Sequence, residues 1–176
     1  DIRDKIKEID DYDLHYKTGF HDFYKNLITE MSSDKKGIVL FHGLPGTGKT
    51  NLIRNIVREL KDKKRFLFLP PNQFEYLSNP NFITFLLDDA KEKEEKNICL
   101  IIEDAESLLQ DRYQENNYNI STILNITDGL LNDIFSLQVI ATFNIELNRI
   151  DEALLRNDRL IARKEFGKLA ADEANN

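Results

Sequence analysis

The run Gly43-Leu44-Pro45-Gly46-Thr47-Gly48-Lys49-Thr50 restricts the fold of this chain more than any other stretch, because it matches the pattern G-x-x-x-x-G-K-[ST] in full. Such a loop works through its backbone. Gly46 and Gly48 permit dihedral angles and a close chain approach that turn several N–H groups inward around an anion. Lys49 adds a point charge that reaches the β- and γ-phosphates of a nucleotide, and the Thr50 hydroxyl is placed to ligate the accompanying magnesium ion. Asn51 completes the set of nucleotide-contacting candidates. The leading ligand is a nucleoside triphosphate.

The pattern has this meaning only between a strand and a helix, and both are legible. Gly37-Ile38-Val39-Leu40-Phe41-His42 is a short apolar run suited to a strand buried on both faces. After Thr50, residues Leu52, Ile53, Ile56, Val57 and Leu60 recur at helical spacing, opposite Arg54, Asn55, Arg58 and Glu59. The loop therefore leads into a helix N-terminus, where free N–H groups and the helix dipole favour phosphate.

Further elements alternate in the same way. Residues 1–31 are polar and charged, reading as a loop followed by a partly amphipathic helix, with Leu14, Phe20, Phe23, Tyr24, Leu27 and Ile28 as its apolar residues. Arg65 to Leu69 reads as a second strand, stopped by Pro70-Pro71, and residues 81–90 read as a helix with Phe82, Phe85 and Leu86 on one face. Lys91 to Lys96 reads as a solvated helix end. Ile98-Cys99-Leu100-Ile101-Ile102 is a central strand, and a polar stretch from Gln110 to Asn119 precedes a helix carrying Ile120, Ile123, Leu124, Thr127, Leu130 and Leu131. Val139 to Thr142 is a fourth strand and Leu160 to Phe166 a fifth. Strands alternating with helices predict an α/β fold, a three-layer sandwich around a five-stranded, mostly parallel sheet.

With 176 residues the chain suits one domain. A net charge of −7 argues against general attraction to nucleic acid or an anionic membrane, and the basic cluster Lys61, Lys63, Lys64 and Arg65 reads as a solvated connection. Cys99, the one cysteine, lies in an apolar run and reads as a small buried hydrophobe, which suits a reducing compartment. No stretch approaches a membrane span and no signal peptide is legible, so a cytoplasmic location and no membrane contact are expected. The start at Asp1, with the single methionine at Met31, suggests a domain excised from a longer protein. His15, His21 and His42 lack metal-ligand spacing.

Glu103 and Asp104 end the central strand abruptly, where ligands of parallel sheets gather. Glu103 is placed to hold hydrated magnesium, and Asp104 to orient or deprotonate an attacking water, a role worth about two to four orders of magnitude in rate. With these residues in place, GLPGTGKT followed by CLIIEDAE resembles the AAA+ ATPases, a branch of the P-loop NTPases. Later segments extend the resemblance. Ile123 to Gly129 resembles the family's segment ending in Asp-Gly, and Val139-Ile140-Ala141-Thr142-Phe143-Asn144 resembles the strand that ends in the sensor asparagine. Ile150 to Leu160 looks like the arginine-finger segment. The likeness is nearest to the AAA clade in its narrow sense.

The resemblance implies ATP and Mg2+ as ligands, and a homo-oligomer, in many members a ring, that remodels a protein or nucleoprotein partner. It places Asn144 beside the γ-phosphate, and sends Arg156 and Arg159 into a neighbouring subunit's site. It also implies an adenine-side loop around Tyr16 to Gly19, a nucleotide-binding core over 36–167, and a helical lid of which 168–176 is the start. A fragment without most of that lid is expected to bind nucleotide weakly and stay monomeric. The nearest match to a pore loop is Tyr76-Leu77, although no glycine follows and Phe74, Tyr76 and Leu77 read more simply as core cover.

Two departures bear on function. Glu103 precedes Asp104, whereas the family usually has Asp before Glu, an inversion shared by some members of the mitochondrial inner-membrane AAA group. Asp158 stands where the finger segment usually has glycine. The inverted pair leaves room for a nucleotide-gated binding module that hydrolyses little. A small-molecule kinase would use the same phosphate loop, but has no need of a sensor asparagine followed by Ala-Leu-Leu-Arg.

Overall fold

The computed structural model describes residues 19–70, 73, 76, 79, 81–82, 84–85, 88, 97–106, 136–145, 152–156 and 158–167. Helix α1 (Phe20–Ser32) leads into β1 (Gly37–Gly43), the phosphate loop, and α2 (Lys49–Leu60). Strands β2 (Arg65–Phe68), β3 (Asn97–Ile102), β4 (Ser136–Phe143) and β5 (Leu160–Phe166) follow, with a 3-10 turn at Glu152–Leu155 before β5. They form one sheet in the order β2-β3-β4-β1-β5, and every pairing is parallel. This is the expected P-loop NTPase α/β architecture.

Parallel central strands must be apolar on both faces, and β1 obeys: Ile38 and Leu40 face one core, Val39 and Phe41 the other. The second core is roofed by α1 and α2. Phe20, Tyr24, Leu27 and Met31 recur on one stripe of α1 and meet Leu52, Ile53, Ile56 and Leu60 of α2 over Cys99, Ile101 and Ile140. A 13-residue helix is marginal alone, so α1 depends on this burial, worth about 2 kcal/mol for each large apolar side chain. The Tyr24 hydroxyl adds a 2.7 Å hydrogen bond to Glu59 Oε2 of α2.

Three features depart from the sequence reading. Lys64, expected in a solvated connection, is buried, its Nζ donating to the Ser33 carbonyl at 3.2 Å. Strand β4 begins at Ser136 rather than Val139, because Leu137 and Gln138 continue the ladder opposite Ile98 and Cys99. Gln138 interrupts the apolar pattern yet is fully buried, its Nε2 donating to the Lys35 carbonyl at 2.6 Å and tethering the entry to β1. Tyr76 is 57 % exposed and does not cover the core, a correction to the simpler reading, while Phe74 and Leu77 lie outside the described residues. The helix expected from Ile120 to Leu131 also lies outside them, and residues 81–82, 84–85 and 88 are helical as expected.

Strand β5 closes tightly on both ends of β1. Gly37 has φ +136°, and a Cβ there would lie 2.4 Å from the Arg159 carbonyl oxygen, which accepts from the Ile38 N–H at 2.8 Å. The register then slips by one residue between Ile38 and Val39, so that Ile38 pairs with Leu160 and Val39 with Ala162. Gly37→Ala is expected to lower unfolding free energy by roughly 3 kcal/mol, as both the left-handed backbone and the backbone contact forbid a methyl. Chemical denaturation followed by circular dichroism measures it, and an unchanged midpoint would refute the tight closure.

Candidate nucleotide site

The carboxyl ends of β1, β3 and β4 converge where the connections diverge, since β1 continues toward the β2 edge while β4 leads across β1 to β5. Ligands of open parallel sheets bind at such a point. The phosphate loop leaves β1 at Gly43, whose φ of +126° brings it so near β5 that a Cβ would lie 2.1 Å from the Phe166 carbonyl oxygen. Gly46 and Gly48 are left-handed as well, at φ +75° and +92°. Gly46 has open space around its Cβ position, so the requirement there is backbone conformation alone. The turn is braced by the Thr47 hydroxyl, which donates to the Leu44 carbonyl at 2.7 Å.

Lys49, the first residue of α2, is buried, and its Nζ donates to the carbonyls of Gly43 at 2.9 Å and Leu44 at 2.7 Å. Burial holds its pKa below the ordinary lysine value, an effect opposed by the carboxylates of Asp104 and Glu106. The ammonium therefore sits between the loop and the acids that follow β3. Leu44, Pro45, Gly46, Thr50 and Asn51 are exposed, which leaves the loop's outer rim and the Thr50 hydroxyl open to a ligand.

The segment after β3 is stitched to the end of β4. Asp104 takes up a left-handed backbone at φ +53°, and its N–H donates to Thr142 Oγ1 at 3.0 Å. The Ala105 N–H donates to the Thr142 carbonyl at 2.8 Å. In return, Asn144 Nδ2 donates to Asp104 Oδ1 at 2.6 Å, and the Asn144 N–H donates to Glu106 Oε1. Glu103 stays in line with β3, and its Oε1 is buried with no hydrogen-bond partner. A buried carboxylate oxygen without a donor is the position a hydrated cation would satisfy.

Among the described residues no group of three or more His, Cys, Asp or Glu side chains could hold a metal unaided. Magnesium needs none: it keeps several waters and is held by one or two protein groups plus phosphate oxygens. Glu103 and Thr50 fit that requirement.

Gly19 starts α1, left-handed at φ +83°, and next to it Phe20 packs edge-on against Phe166 with ring centroids 6.0 Å apart. Phe166 pairs with Gly43, so Gly19 lies at the loop end of the sheet. Tyr16 to Thr18 lie outside the described residues. Arg156 and Arg159 are elsewhere. Both precede β5, where the Arg156 carbonyl accepts from the N–H groups of Arg159 and Leu160, and Leu160 pairs with Ile38 at the opposite end of β1. At about 3.3 Å per residue the strand holds them some 16 Å from their own phosphate loop. Asp158 is not left-handed, so its position makes no demand for glycine.

The sequence reading misses Glu106 and Thr142. Glu106 is legible there only as a third acid, two residues beyond Asp104, and Thr142 only as the last residue of a strand. His42 carries no assigned chemistry: it is buried with Nδ1 unpartnered, and burial, opposed in part by Glu165, holds its pKa below the ordinary value.

The family described as "ATPase family associated with various cellular activities (AAA)" matches residues 39–168, most of the chain, from within β1 to just past the end of β5. The chain belongs to the AAA family. Its members bind ATP, typically with magnesium, and are generally oligomeric. The chain is also similar to the "Putative cell division cycle ATPase" of Plasmodium falciparum (isolate 3D7), with 30 % identity over 135 residues. That alignment covers 69 % of this chain and 10 % of the relative, so the chain spans about a tenth of the relative's length.

Lys49→Ala is expected to weaken ATP binding by about a hundredfold or more, corresponding to roughly 3 kcal/mol for a charge-assisted contact. Calorimetric titration reads it directly. Unchanged affinity would exclude the loop as the triphosphate site.

Proposed function

We propose that this chain is the ATP-hydrolysing module of a homo-oligomeric AAA protein, in which a ring of such modules remodels a protein or nucleoprotein partner. The observation that carries the reading is the link from Asp104 to Asn144, made at the loop end of the sheet and within the electrostatic reach of Lys49. In this reading the loop N–H groups and Lys49 bind the phosphates, and Thr50 and Glu103 hold magnesium, which supplies charge neutralisation on the phosphoryl oxygens. Asp104 accepts a proton from the attacking water, and Asn144 fixes the carboxylate for that task.

Arg156 and Arg159 act in trans. The length of β1 between them and their own loop supports this, because an arginine side chain cannot cover that span, whereas a neighbouring module can present its loop to them. A guanidinium there stabilises charge on the transferring phosphoryl. A kinase reading gains no support from a carboxylate already engaged by a strand-end asparagine. The low-turnover binding module stays as the second reading, favoured by the short reach of Asp104 compared with glutamate.

Asp104→Asn is expected to retain ATP binding and lose turnover by about two orders of magnitude or more, since the amide keeps the shape and loses the proton acceptor. Single-turnover hydrolysis with radiolabelled ATP decides it, and a wild-type rate in the variant would remove Asp104 as the base. For the arginines, Arg156→Ala and Lys49→Ala subunits of the full-length protein should each be inactive alone. Mixed equally, they should recover about a quarter of wild-type activity, the share of randomly formed interfaces joining a sound pocket to a sound finger. Co-assembled mixtures with no gain would take Arg156 out of the trans role.

A further inference from the structure

We infer that Glu106 is a positioning residue for ATP hydrolysis, acting through the backbone of Asn144; the inference rests on the function proposed above. Its carboxylate accepts from the Asn144 N–H, while the Asn144 side chain donates to Asp104 Oδ1 at 2.6 Å. Asn144 is thus gripped at its main chain by one acid and presents its amide to another. The residue lies just beyond the end of β4 at Phe143, where the ladder no longer fixes its backbone. Glu106 supplies the restraint that the sheet stops providing.

The two acids reach Asn144 because the chain between them is itself pinned. The left-handed turn at Asp104 directs the chain across the end of β4, and the Ala105 N–H bond to the Thr142 carbonyl, at 2.8 Å, sets Glu106 opposite Asn144. Glu106 is partly buried, so its bond competes with less water than an exposed pair would. A reacting group displaced by about 1 Å can lose a hundredfold in rate, so a restraint on Asn144 has leverage on Asp104 without Glu106 touching substrate.

The distinguishing feature is that the role needs an acceptor oxygen and not a charge. Glu106→Gln keeps an oxygen for the Asn144 N–H and removes the negative charge near Lys49, whereas Glu106→Ala removes both. In the full-length protein, Glu106→Ala is expected to lower kcat about ten- to a hundredfold with little change in KM or in ATP affinity, and Glu106→Gln to stay within about threefold of wild type. Because the two residues act as a unit, adding Glu106→Ala to Asn144→Ala should cost little beyond Asn144→Ala alone. Hydrogen exchange of the Asn144 amide should accelerate in Glu106→Ala and stay protected in Glu106→Gln.

Equal loss in the Gln and Ala variants, with weakened nucleotide binding, would overturn the inference in favour of an electrostatic role for the carboxylate. Additive losses in the double variant, or a wild-type kcat in Glu106→Ala, would overturn it outright. The absence of hydrolysis in the wild-type protein would instead refute the proposed function, so the two failures are separable.

Discussion

The backbone contact between β1 and β5 is the constraint on which the site depends. A phosphate loop binds an anion only if its N–H groups are held inward before the ligand arrives, and a loop can be held only by its ends. Here the entry end is Gly43, fitted so closely against Phe166 that no side chain could occupy its place, with the Leu44 N–H donating to the Phe166 carbonyl at 3.2 Å. The exit end is Lys49, the buried first residue of a helix whose apolar face is locked under α1. Phe166 also packs on Phe41 and Phe20, so the same aromatic group that seats β5 anchors the start of α1. The loop is therefore stiff for reasons that lie in the core rather than in the loop itself.

Electrostatics then divides the two ends of the sheet. At the carboxyl end a buried ammonium faces acids that follow β3, and each carboxylate has a different environment: Glu103 has an unpartnered buried oxygen, Asp104 is bound by the Asn144 amide, and Glu106 accepts from a main-chain N–H. Asp104 and Glu106 are thus tied to one residue, Asn144, while the buried oxygen of Glu103 is left for another donor or a cation. At the amino end lie Arg156 and Arg159, as far from these acids as the length of a strand permits. This separation within one chain is what the trans role proposed for Arg156 and Arg159 would require.

Much of this is legible in the sequence because the informative signals are local. The loop pattern, the apolar runs of β1 and β3, and the helical spacing of Leu52, Ile53, Ile56 and Leu60 each follow from short-range periodicity, and the sheet confirms them. Strand β4 reads too short because Gln138 looks like a strand end, and the partner of its buried amide nitrogen, the Lys35 carbonyl, lies 103 residues away in sequence. Tyr76 reads as core cover because aromatic residues usually are, whereas exposure depends on the neighbours a fold supplies. Glu106 and Thr142 escape detection for the same reason: their partners sit on another strand, and no spacing within one segment encodes a contact made across the sheet.

The inverted order of Glu103 and Asp104 has a conformational rationale. Asp104 is the only non-glycine residue at positive φ among the described residues, and a left-handed backbone costs about 1 kcal/mol or more for most side chains. Aspartate and asparagine are the non-glycine residues that visit this region most readily, because their short polar side chains bond locally. Placing the shorter acid second therefore lets the chain turn sharply off β3, with the N–H caught by Thr142 Oγ1 and the carboxylate directed to Asn144. Glutamate in that place would add reach at the expense of the turn, and aspartate at position 103 would withdraw the carboxylate that now extends from the strand end into a buried position. The shorter side chain of Asp104 is thus matched to a backbone that brings it across the end of β4.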